Sequence, residues 1–241
     1  NMLIFTPSID LFQKLFCDKI GYFEYALALW EGNVSKVLHF SEPSNIQDVT
    51  KRKKIIFQYI SYQLSHENKD IVKKIFHYFQ DQAFHVGYDA RSHRKKFYVS
   101  LYQQNPNTTK ESIEFLKTLF PYLSWYQLAQ WHQRFDCFGF DIFNDSIIPK
   151  IYEIIDISYS PLFQSLSFLN EEIGYAGIMR TFTENERQKH FIRFAKPQDI
   201  SILKSMGWTE EDVLLEKNPQ WNIKYICQEK NSWLELYFTY K

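Results

Sequence analysis

The chain has 241 residues, of which 45% are hydrophobic and 18% aromatic, and its 28 basic residues are balanced by 28 acidic ones. A neutral chain has no net field that attracts nucleic acid or anionic lipid, so we expect neither a nucleic acid nor a membrane as a partner. The scattered cysteines argue against a disulfide framework and a structural zinc site, and without a long apolar window we expect neither a signal peptide nor a transmembrane helix. We therefore expect a cytoplasmic monomer with a single domain over residues 1–241.

Segments that alternate between polar and apolar residues recur in pairs along the chain. The first pair is a predicted hairpin over Tyr25–Ser41 with Gly32 and Asn33 at its turn, and the second covers His85–Tyr102. Three more hairpins are predicted: Phe135–Phe143 with Lys150–Asp156, Ile173–Phe182 with Gln188–Ala195, and Trp221–Glu229 with Ser232–Tyr240. The pairs recur at intervals of roughly 40 to 55 residues, which indicates repeated units and ten antiparallel strands in all.

Apolar residues at helical spacing separate these hairpins. One continuous helical stretch is predicted from about Gln47 to Gln80. Three further helices are predicted: Thr108–Phe120 with Thr108 or Thr109 as its cap, Ser124–Phe135 with Ser124 as its cap, and Gln198–Lys217 with a break at Gly207.

The two faces of the predicted strands differ in polarity, and this difference predicts the architecture. In the second hairpin Lys96, Tyr98, Ser100 and Tyr102 share one face, while Phe97, Val99 and Leu101 share the other. Ten antiparallel strands can close into a barrel without exposed edges, and a layer of helices can cover apolar outer faces. We therefore predict an α+β fold, a ten-stranded antiparallel β-barrel surrounded by α-helices, with its polar faces in the lumen.

The predicted lumen contains cations and phenols on the second strand of every hairpin. They are Lys36; Lys96 with Tyr98 and Tyr102; Lys150 with Tyr152; Lys189 with Arg193; and Tyr237 with Thr239. Because unpaired cations are costly to bury, they predict an anionic ligand, most simply a phosphate or diphosphate. Tyrosine rings attract cations and exclude water, so the same lumen can shelter an allylic carbocation. A diphosphate and a carbocation together indicate prenyl transfer.

Five segments, in this order, resemble a known family. They are WEGN at Trp30–Asn33, GYDARSHRKKFYVSLY at Gly87–Tyr102, FGFDIFNDSIIPKIYEI at Phe138–Ile154, RFAKPQDI at Arg193–Ile200, and the terminal WLELYFTYK. The set is similar to the peptide prenyltransferases of cyanobactin pathways, which belong to the ABBA family of helix-ringed, ten-stranded barrels. The resemblance implies transfer of a dimethylallyl or geranyl group from its diphosphate to a side chain of a cyclic ribosomal peptide.

The resemblance also implies roles for individual residues. Glu31 matches the catalytic glutamate, and Lys36, Lys96 and Arg193 match basic diphosphate ligands. Tyr152 and Tyr237 match the aromatic shield. The lumen pattern adds Tyr98, Lys150 and Lys189 to the prenyl-diphosphate site.

The resemblance bears on cofactors as well. It allows Mg²⁺ to accompany the diphosphate, but the chain has no DDxxD motif and no predicted metal-ligand set, and we expect no organic cofactor.

The acceptor site is predicted from Trp233 and Glu235, which share the lumen face of the last strand with Tyr237. A second carboxylate near Glu31 would suit a cationic side chain, so arginine is the predicted acceptor, with tyrosine, tryptophan and histidine as further candidates. Glu235 could instead form an ion pair with Lys224 on the facing strand.

The sequence is also compatible with a surface ion pair and with two different functions. Asp89 and Arg91 are expected to pair on the surface. The chain could prenylate a small aromatic molecule instead of a peptide, or it could be a non-catalytic barrel that binds a phosphorylated or lipidic ligand.

Overall fold

A computed structural model describes residues 22–30, 33–42, 49–89, 92–101, 106–121, 134–160, 173–181, 188–199, 202, 221–229 and 234–240. The strands are β1 (Tyr22–Trp30), β2 (Asn33–Glu42), β3 (Phe84–Asp89), β4 (Arg94–Ser100), β5 (Arg134–Phe143), β6 (Ser146–Ile155), β7 (Ile173–Thr181), β8 (Gln188–Gln198), β9 (Trp221–Glu229) and β10 (Leu234–Tyr240). The helices are α1 (Val49–Ser61), α2 (His66–Tyr78), α3 (Pro106–Leu119) and a short 3₁₀ helix (Ile157–Tyr159).

The strands form a closed antiparallel barrel. Consecutive strands are neighbours around the wall, and β1 pairs with β10 to complete it. Sequential pairing follows from the short turns between hairpin strands, and closure leaves no unpaired sheet edge. The structure therefore confirms the predicted barrel fold.

The apolar core lies between the outside of the barrel and the helices. Phe97 and Phe138 point outward and are 0% exposed. The ring of Phe76, on α2, lies 5.7 Å from that of Phe97, and the ring of Phe79 lies 5.9 Å from that of Phe138. Complete burial of such a ring stabilises the fold by about 1.5 to 3 kcal/mol. This arrangement confirms that the apolar strand faces look outward and leaves the polar faces for the lumen.

The helical stretch predicted as continuous is divided into α1 and α2. Ser65 caps α2 by accepting a hydrogen bond from Asn68 N at 3.3 Å, and Asp145 accepts another from Ser65 N at 2.7 Å. At the end of α1, Lys95 from the barrel wall donates to the carbonyl oxygens of Tyr59 and Ile60. These tertiary contacts satisfy backbone groups that a continuous helix would satisfy internally, so they permit the break.

Two predicted boundaries were wrong. Strand β6 begins at Ser146 rather than Lys150, so Pro149 lies within it. Proline is tolerated there because the pairing of β6 with β7 starts only at Lys150, so no hydrogen bond to β7 is lost at Pro149. Helix α3 begins at Pro106, before the expected Thr caps, in accord with the preference of proline for the first turn.

Two predicted helices, Ser124–Phe135 and Gln198–Lys217, fall largely outside the described residues. Arg134 and Phe135 belong to β5 instead, and Gln198 ends β8. Within the part of the chain that the structure describes, every helix is too short or too polar to cross a bilayer.

Candidate active site

The strand registers bring lumen residues of β4, β5 and β6 to matching levels. Lys96 lies opposite Asp141, and Tyr98 lies opposite Gly139. Gly139 in turn lies opposite Lys150. Opposite and diagonal residues on one face of a sheet are in contact range. The registers therefore place a charged level of the lumen, which contains Lys96, Asp141 and Lys150, next to an aromatic layer, which contains Tyr98.

Ion pairs link the side chains of the charged level. They are Lys150–Asp141 at 2.5 Å, Arg94–Asp141 at 3.8 Å, Lys96–Asp89 at 3.5 Å and Lys189–Glu235 at 2.7 Å. The expectation that the lumen lysines are unpaired is therefore wrong for Lys96, Lys150 and Lys189. Four cations and three carboxylates leave a single net positive charge in this network. Burial alone thus does not require an anionic ligand, because most of the charge is already balanced.

Two of the three carboxylates of this level, Asp89 and Asp141, were not predicted from the sequence as site residues, whereas Glu235 was. Asp89, expected on the surface with Arg91, is 4% exposed and pairs with Lys96. Its Oδ1 also accepts a hydrogen bond from Ser92 N at 3.2 Å. Asp141 is 1% exposed. The alternation of β5 could have assigned Asp141 to the lumen face, but only the registers with β4 and β6 reveal the cations that it meets.

Burial and pairing shift the pKa values of these groups. Burial lowers the pKa of Lys150 to about 8, against the opposing effect of the Asp141 carboxylate. Burial would raise the pKa of Glu235, but Lys189, Lys96 and Tyr237 outweigh it and hold the pKa at about 2. At neutral pH Lys150 is therefore mainly protonated and Glu235 is ionised.

Below the charged level the lumen is aromatic. The rings of Tyr98 and Tyr152 meet edge to face with centroids 5.9 Å apart, and Phe191 lies 6.0 Å from Tyr152. Tyr237 packs on Tyr225 at 6.0 Å and donates a hydrogen bond to Glu235 Oε2 at 3.1 Å.

Burial raises the pKa values of Tyr98, Tyr152 and Tyr237 well above the usual value, so these side chains remain phenols. The aromatic layer can therefore present electron-rich ring faces to a cation without carrying charge.

Two glycines make room for these rings. A Cβ atom at Gly139 would lie 3.0 Å from the ring of Tyr98 and 3.1 Å from that of Tyr152. A Cβ atom at Gly177 would lie 2.2 Å from the ring of Phe191. A side chain at either position would displace the aromatic layer, so the glycines are part of its construction.

Arg193 lies on the other side of the aromatic layer. It follows Lys189 by four residues on β8, a separation of about 13 Å along an extended strand. Its Nη1 donates to Tyr175 OH at 3.1 Å, and Tyr175 OH donates to Asp136 Oδ1 at 3.0 Å. The structure therefore brings together Lys96, Lys150 and Lys189 but gives Arg193 separate partners.

The remaining predicted residues divide into two groups. Glu31 and Trp233, and the side chain of Lys36 on β2, lie outside the described residues. Glu235 has Lys189 as its ion-pair partner, whereas the ion pair considered from the sequence was with Lys224. Lys224 instead lies 5.1 Å from the ring centroid of Tyr225.

The described carboxylates do not fit a resident metal ion. No group of three or more His, Cys, Asp or Glu side chains in the described ranges is arranged to hold one. Each lumen carboxylate faces a lysine or arginine, which repels a divalent cation. We therefore derive no step of the chemistry through a metal.

The barrel is similar to those of solved prenyltransferases. The 5-dimethylallyltryptophan synthase from Streptomyces coelicolor matches with a TM-score of 0.56 and 12% sequence identity, over 91% of this chain and 80% of that one. The prenyltransferase PriB, in a ternary complex with L-tryptophan and dimethylallyl thiolodiphosphate, matches with a TM-score of 0.56 and 14% identity, over 90% of this chain and 79% of that one. A complex of PriB with product diphosphate gives a TM-score of 0.55 and 14% identity, over the same shares of 90% and 79%.

Identities this low establish a shared fold and leave the chemistry to be argued from the site. No protein-family model matches the sequence, and no curated protein matches it.

Proposed function

We propose that this protein transfers a prenyl group from dimethylallyl or geranyl diphosphate to an acceptor, within the lumen of its barrel. The observation that carries the proposal is the adjacency of three lumen lysines, of which Lys150 is buried, to a layer of largely buried phenols. A prenyl diphosphate has two parts that match the two parts of the lumen. Its anionic diphosphate adjoins an apolar chain, and this chain becomes cationic as the carbon–oxygen bond breaks. The likeness of the barrel to prenyltransferase structures supports the same proposal.

The charged level would bind the leaving diphosphate. Lys96 and Lys189 both lie close enough to Lys150 to repel its proton, so the three amines converge on one region of the lumen. Cations already in place at the oxygen that gains charge stabilise the transition state more than the ground state. Lys36 and Tyr98 complete the proposed set of donors, and Arg193 belongs to it by resemblance alone.

The aromatic layer would hold the allylic cation. Tyr152 and Tyr237, with Tyr98 on the facing strand, would surround the carbon chain and exclude water that would otherwise capture the cation. Because these phenols stay neutral, they do not compete as nucleophiles in the way that phenolates would.

Glu31 would act as the general base. The acceptor supplies an electron pair to the allylic carbon, the carbon–oxygen bond of the donor breaks, and the proton released from the acceptor passes to the Glu31 carboxylate. The Glu31→Gln variant should therefore lose transfer by roughly two to four orders of magnitude while diphosphate binding is nearly unchanged.

Single-turnover transfer and pyrophosphate titration, run in parallel, measure the two effects of the Glu31→Gln change. The matched control is Glu67→Gln, which alters an exposed glutamate in the first turn of α2. Near-normal turnover in Glu31→Gln would remove Glu31 from the mechanism.

The proposed acceptor is a side chain of a cyclic peptide, with arginine first among the candidates and Trp233 and Glu235 as its contacts. Glu235 already engages Lys189 through Oε1 and Tyr237 through Oε2. A guanidinium would have to replace one of these partners, which makes arginine a demanding test of the assignment.

Matched cyclic peptides with arginine, tyrosine, tryptophan or histidine at one position, competed against one another and read by mass spectrometry for one added isoprene unit, give the order of preference. An arginine preference that Glu235→Gln abolishes supports the assignment. Preference for a neutral side chain, or no effect of that variant, contradicts it.

A small aromatic acceptor is the second candidate, because two of the structures that the barrel resembles are complexes with tryptophan. Adding free L-tryptophan to the same competition separates it from a peptide. A barrel that only binds its ligand would retain pyrophosphate binding and add isoprene to no acceptor. Repeating the assay with EDTA tests whether Mg²⁺ must accompany the diphosphate.

A further inference from the structure

Asp141 occupies a central position in the charged level of the lumen. It lies on β5, opposite Lys96 on β4, and its Oδ2 contacts Lys150 of β6 at 2.5 Å and Arg94 of β4 at 3.8 Å. The other two carboxylates of the charged level are Asp89, which pairs with Lys96, and Glu235, which pairs with Lys189. Asp141 thus joins cations from both neighbouring strands, and it is 1% exposed.

The position of Asp141 matters because Lys150 is costly to keep charged. Lys150 is 7% exposed, and burial is the largest influence on its pKa. Lys96 and Lys189 repel its proton further, and Asp141 is the strongest influence in the opposite direction. Without that carboxylate the ammonium would face like charges in a low-dielectric lumen, where the neutral amine is favoured.

We propose that Asp141 is a positioning residue of the donor site, whose carboxylate keeps Lys150 charged and directed into the lumen until the diphosphate of the donor replaces it. This inference rests on the proposed function. A diphosphate carries more negative charge than one carboxylate and offers several oxygens, so it can take over the lysine while Asp141 retains Arg94. The enzyme would thereby enter the reaction with its cations already formed and need no proton from solvent on binding.

Several charged and titratable groups face the pair from the surrounding strands. They are Asp89 on β3, Arg94, Lys96 and Tyr98 on β4, Tyr152 on β6, Lys189 on β8 and Glu235 on β10. Burial, with Lys96 and Lys189 acting in the same direction and Asp141 opposing them, leaves Lys150 with a pKa of about 8. Titration of Lys150 in the wild-type protein is therefore expected mainly above neutral pH.

The Asp141→Asn variant tests the proposal with inorganic pyrophosphate as the probe. Removal of a carboxylate that repels the ligand should strengthen binding several-fold at about pH 6, where Lys150 is still protonated. Because the variant should lose the Lys150 proton at lower pH than wild type, its affinity should fall by up to about tenfold per pH unit from about pH 6 to about pH 8. Wild-type affinity should fall mainly above about pH 8. The two curves of pyrophosphate affinity against pH, measured by calorimetric titration for the variant and the wild type, should therefore cross.

Three control variants assign the pH dependence to this pair. Asp89→Asn makes the same charge change beside Lys96 and should alter affinity by a similar factor at every pH. Asp141→Glu restores the carboxylate and should restore the wild-type profile. Lys150→Met combined with Asp141→Asn should lose the additional slope, since no titrating amine remains.

A direct measurement separates the role of Asp141 from the proposed function. NMR of the labelled lysine side chains in the ligand-free protein should give Lys150 a pKa at least about one unit lower in Asp141→Asn than in wild type. An unchanged Lys150 pKa would overturn the role of Asp141 whether or not pyrophosphate binds. Failure of wild type to bind pyrophosphate would overturn the donor site itself. Should the Asn variant not fold, Asp141→Ser carries the same test.

Discussion

Two buried lysines, Lys95 and Lys150, lie on opposite faces of the barrel wall. They are 5% and 7% exposed, and burial lowers the pKa of each to about 8. Lys95 points outward and donates to the carbonyl oxygens of Tyr59 at 3.2 Å and Ile60 at 3.1 Å, at the end of α1. Lys150 points into the lumen and meets the carboxylate of Asp141.

The difference between their partners separates a lysine that belongs to the fold from one that a ligand could engage. Helix carbonyls belong to the fold, and a ligand cannot replace them without unwinding α1. A carboxylate that balances a lumen cation can give way to another anion without any change in the backbone. Equal burial and equal pKa values therefore do not indicate equal roles, and the partner decides which lysine is available for binding.

Lys150→Met tests the lumen side of this comparison and should have the largest effect on transfer. We expect transfer to fall by about two to three orders of magnitude, because one preorganised cation at the leaving diphosphate is lost. The free energy of unfolding should fall in this single variant, because the buried Asp141 carboxylate loses its nearest cation, and should be largely restored in the double variant Lys150→Met with Asp141→Asn, which removes both charges. Single-turnover transfer and denaturant unfolding measure the two quantities.

The matched control for that variant is Lys73→Met on the exposed face of α2, which should leave transfer unchanged. A loss of stability that persists in the double variant would mean that this lysine too belongs to the fold.

Lys95→Met tests the outer side of the comparison and should reduce stability rather than transfer. Removal of the amine leaves buried carbonyls at the end of α1 without their donor, so we expect the free energy of unfolding to fall by about 1 to 3 kcal/mol. Transfer by the folded protein should be nearly unchanged, because Lys95 faces away from the lumen. Denaturant unfolding and active-site-normalised transfer check the two halves of this prediction.

The pH dependence of stability provides the control for Lys95. From about pH 8 to 10.5 the unfolded chain keeps the lysine proton while the folded protein has released it, so the free energy of unfolding rises with pH. Each lysine contributes up to about 3 kcal/mol to that rise. Lys95→Met should lose about half of it, and an unaltered rise would contradict the burial of a charged Lys95.

Arg193→Met extends the comparison to a lumen cation outside the charged level, and we expect a smaller effect on transfer than in Lys150→Met. Arg193 contacts Tyr175 and the ring of Tyr225, on the side of the aromatic layer away from the lysines. We expect transfer to fall by less than about tenfold, well short of the loss in Lys150→Met. Pyrophosphate affinity of the two variants under one salt condition is the measurement. Equal losses would assign Arg193 to the diphosphate, as the family resemblance implies.

The sequence by itself determined the fold class and the lumen face of the lysines and phenols predicted on β4, β6, β8 and β10. Alternation with a period of two is local, and in Lys96, Phe97 and Tyr98 it distinguishes lumen from outer face without knowledge of any partner. Hairpin pairing is nearly as local, because a short turn leaves its two strands little choice but to pair. The cations and phenols of the lumen could therefore be predicted as a set.

Only the tertiary structure decided the level at which each lumen residue lies and the partner that it meets there. The alternation of polar and apolar residues assigns each residue to a face of the sheet but not to a level along the barrel axis. That level depends on the registers between strands that are distant in the sequence. Those registers placed Asp141 beside Lys96 and Lys150, gave Glu235 the amine of Lys189, and left Arg193 beyond the aromatic layer. The end of α1 was decided in the same way, because Lys95, whose amine satisfies its last carbonyls, comes from a strand that follows it in the chain.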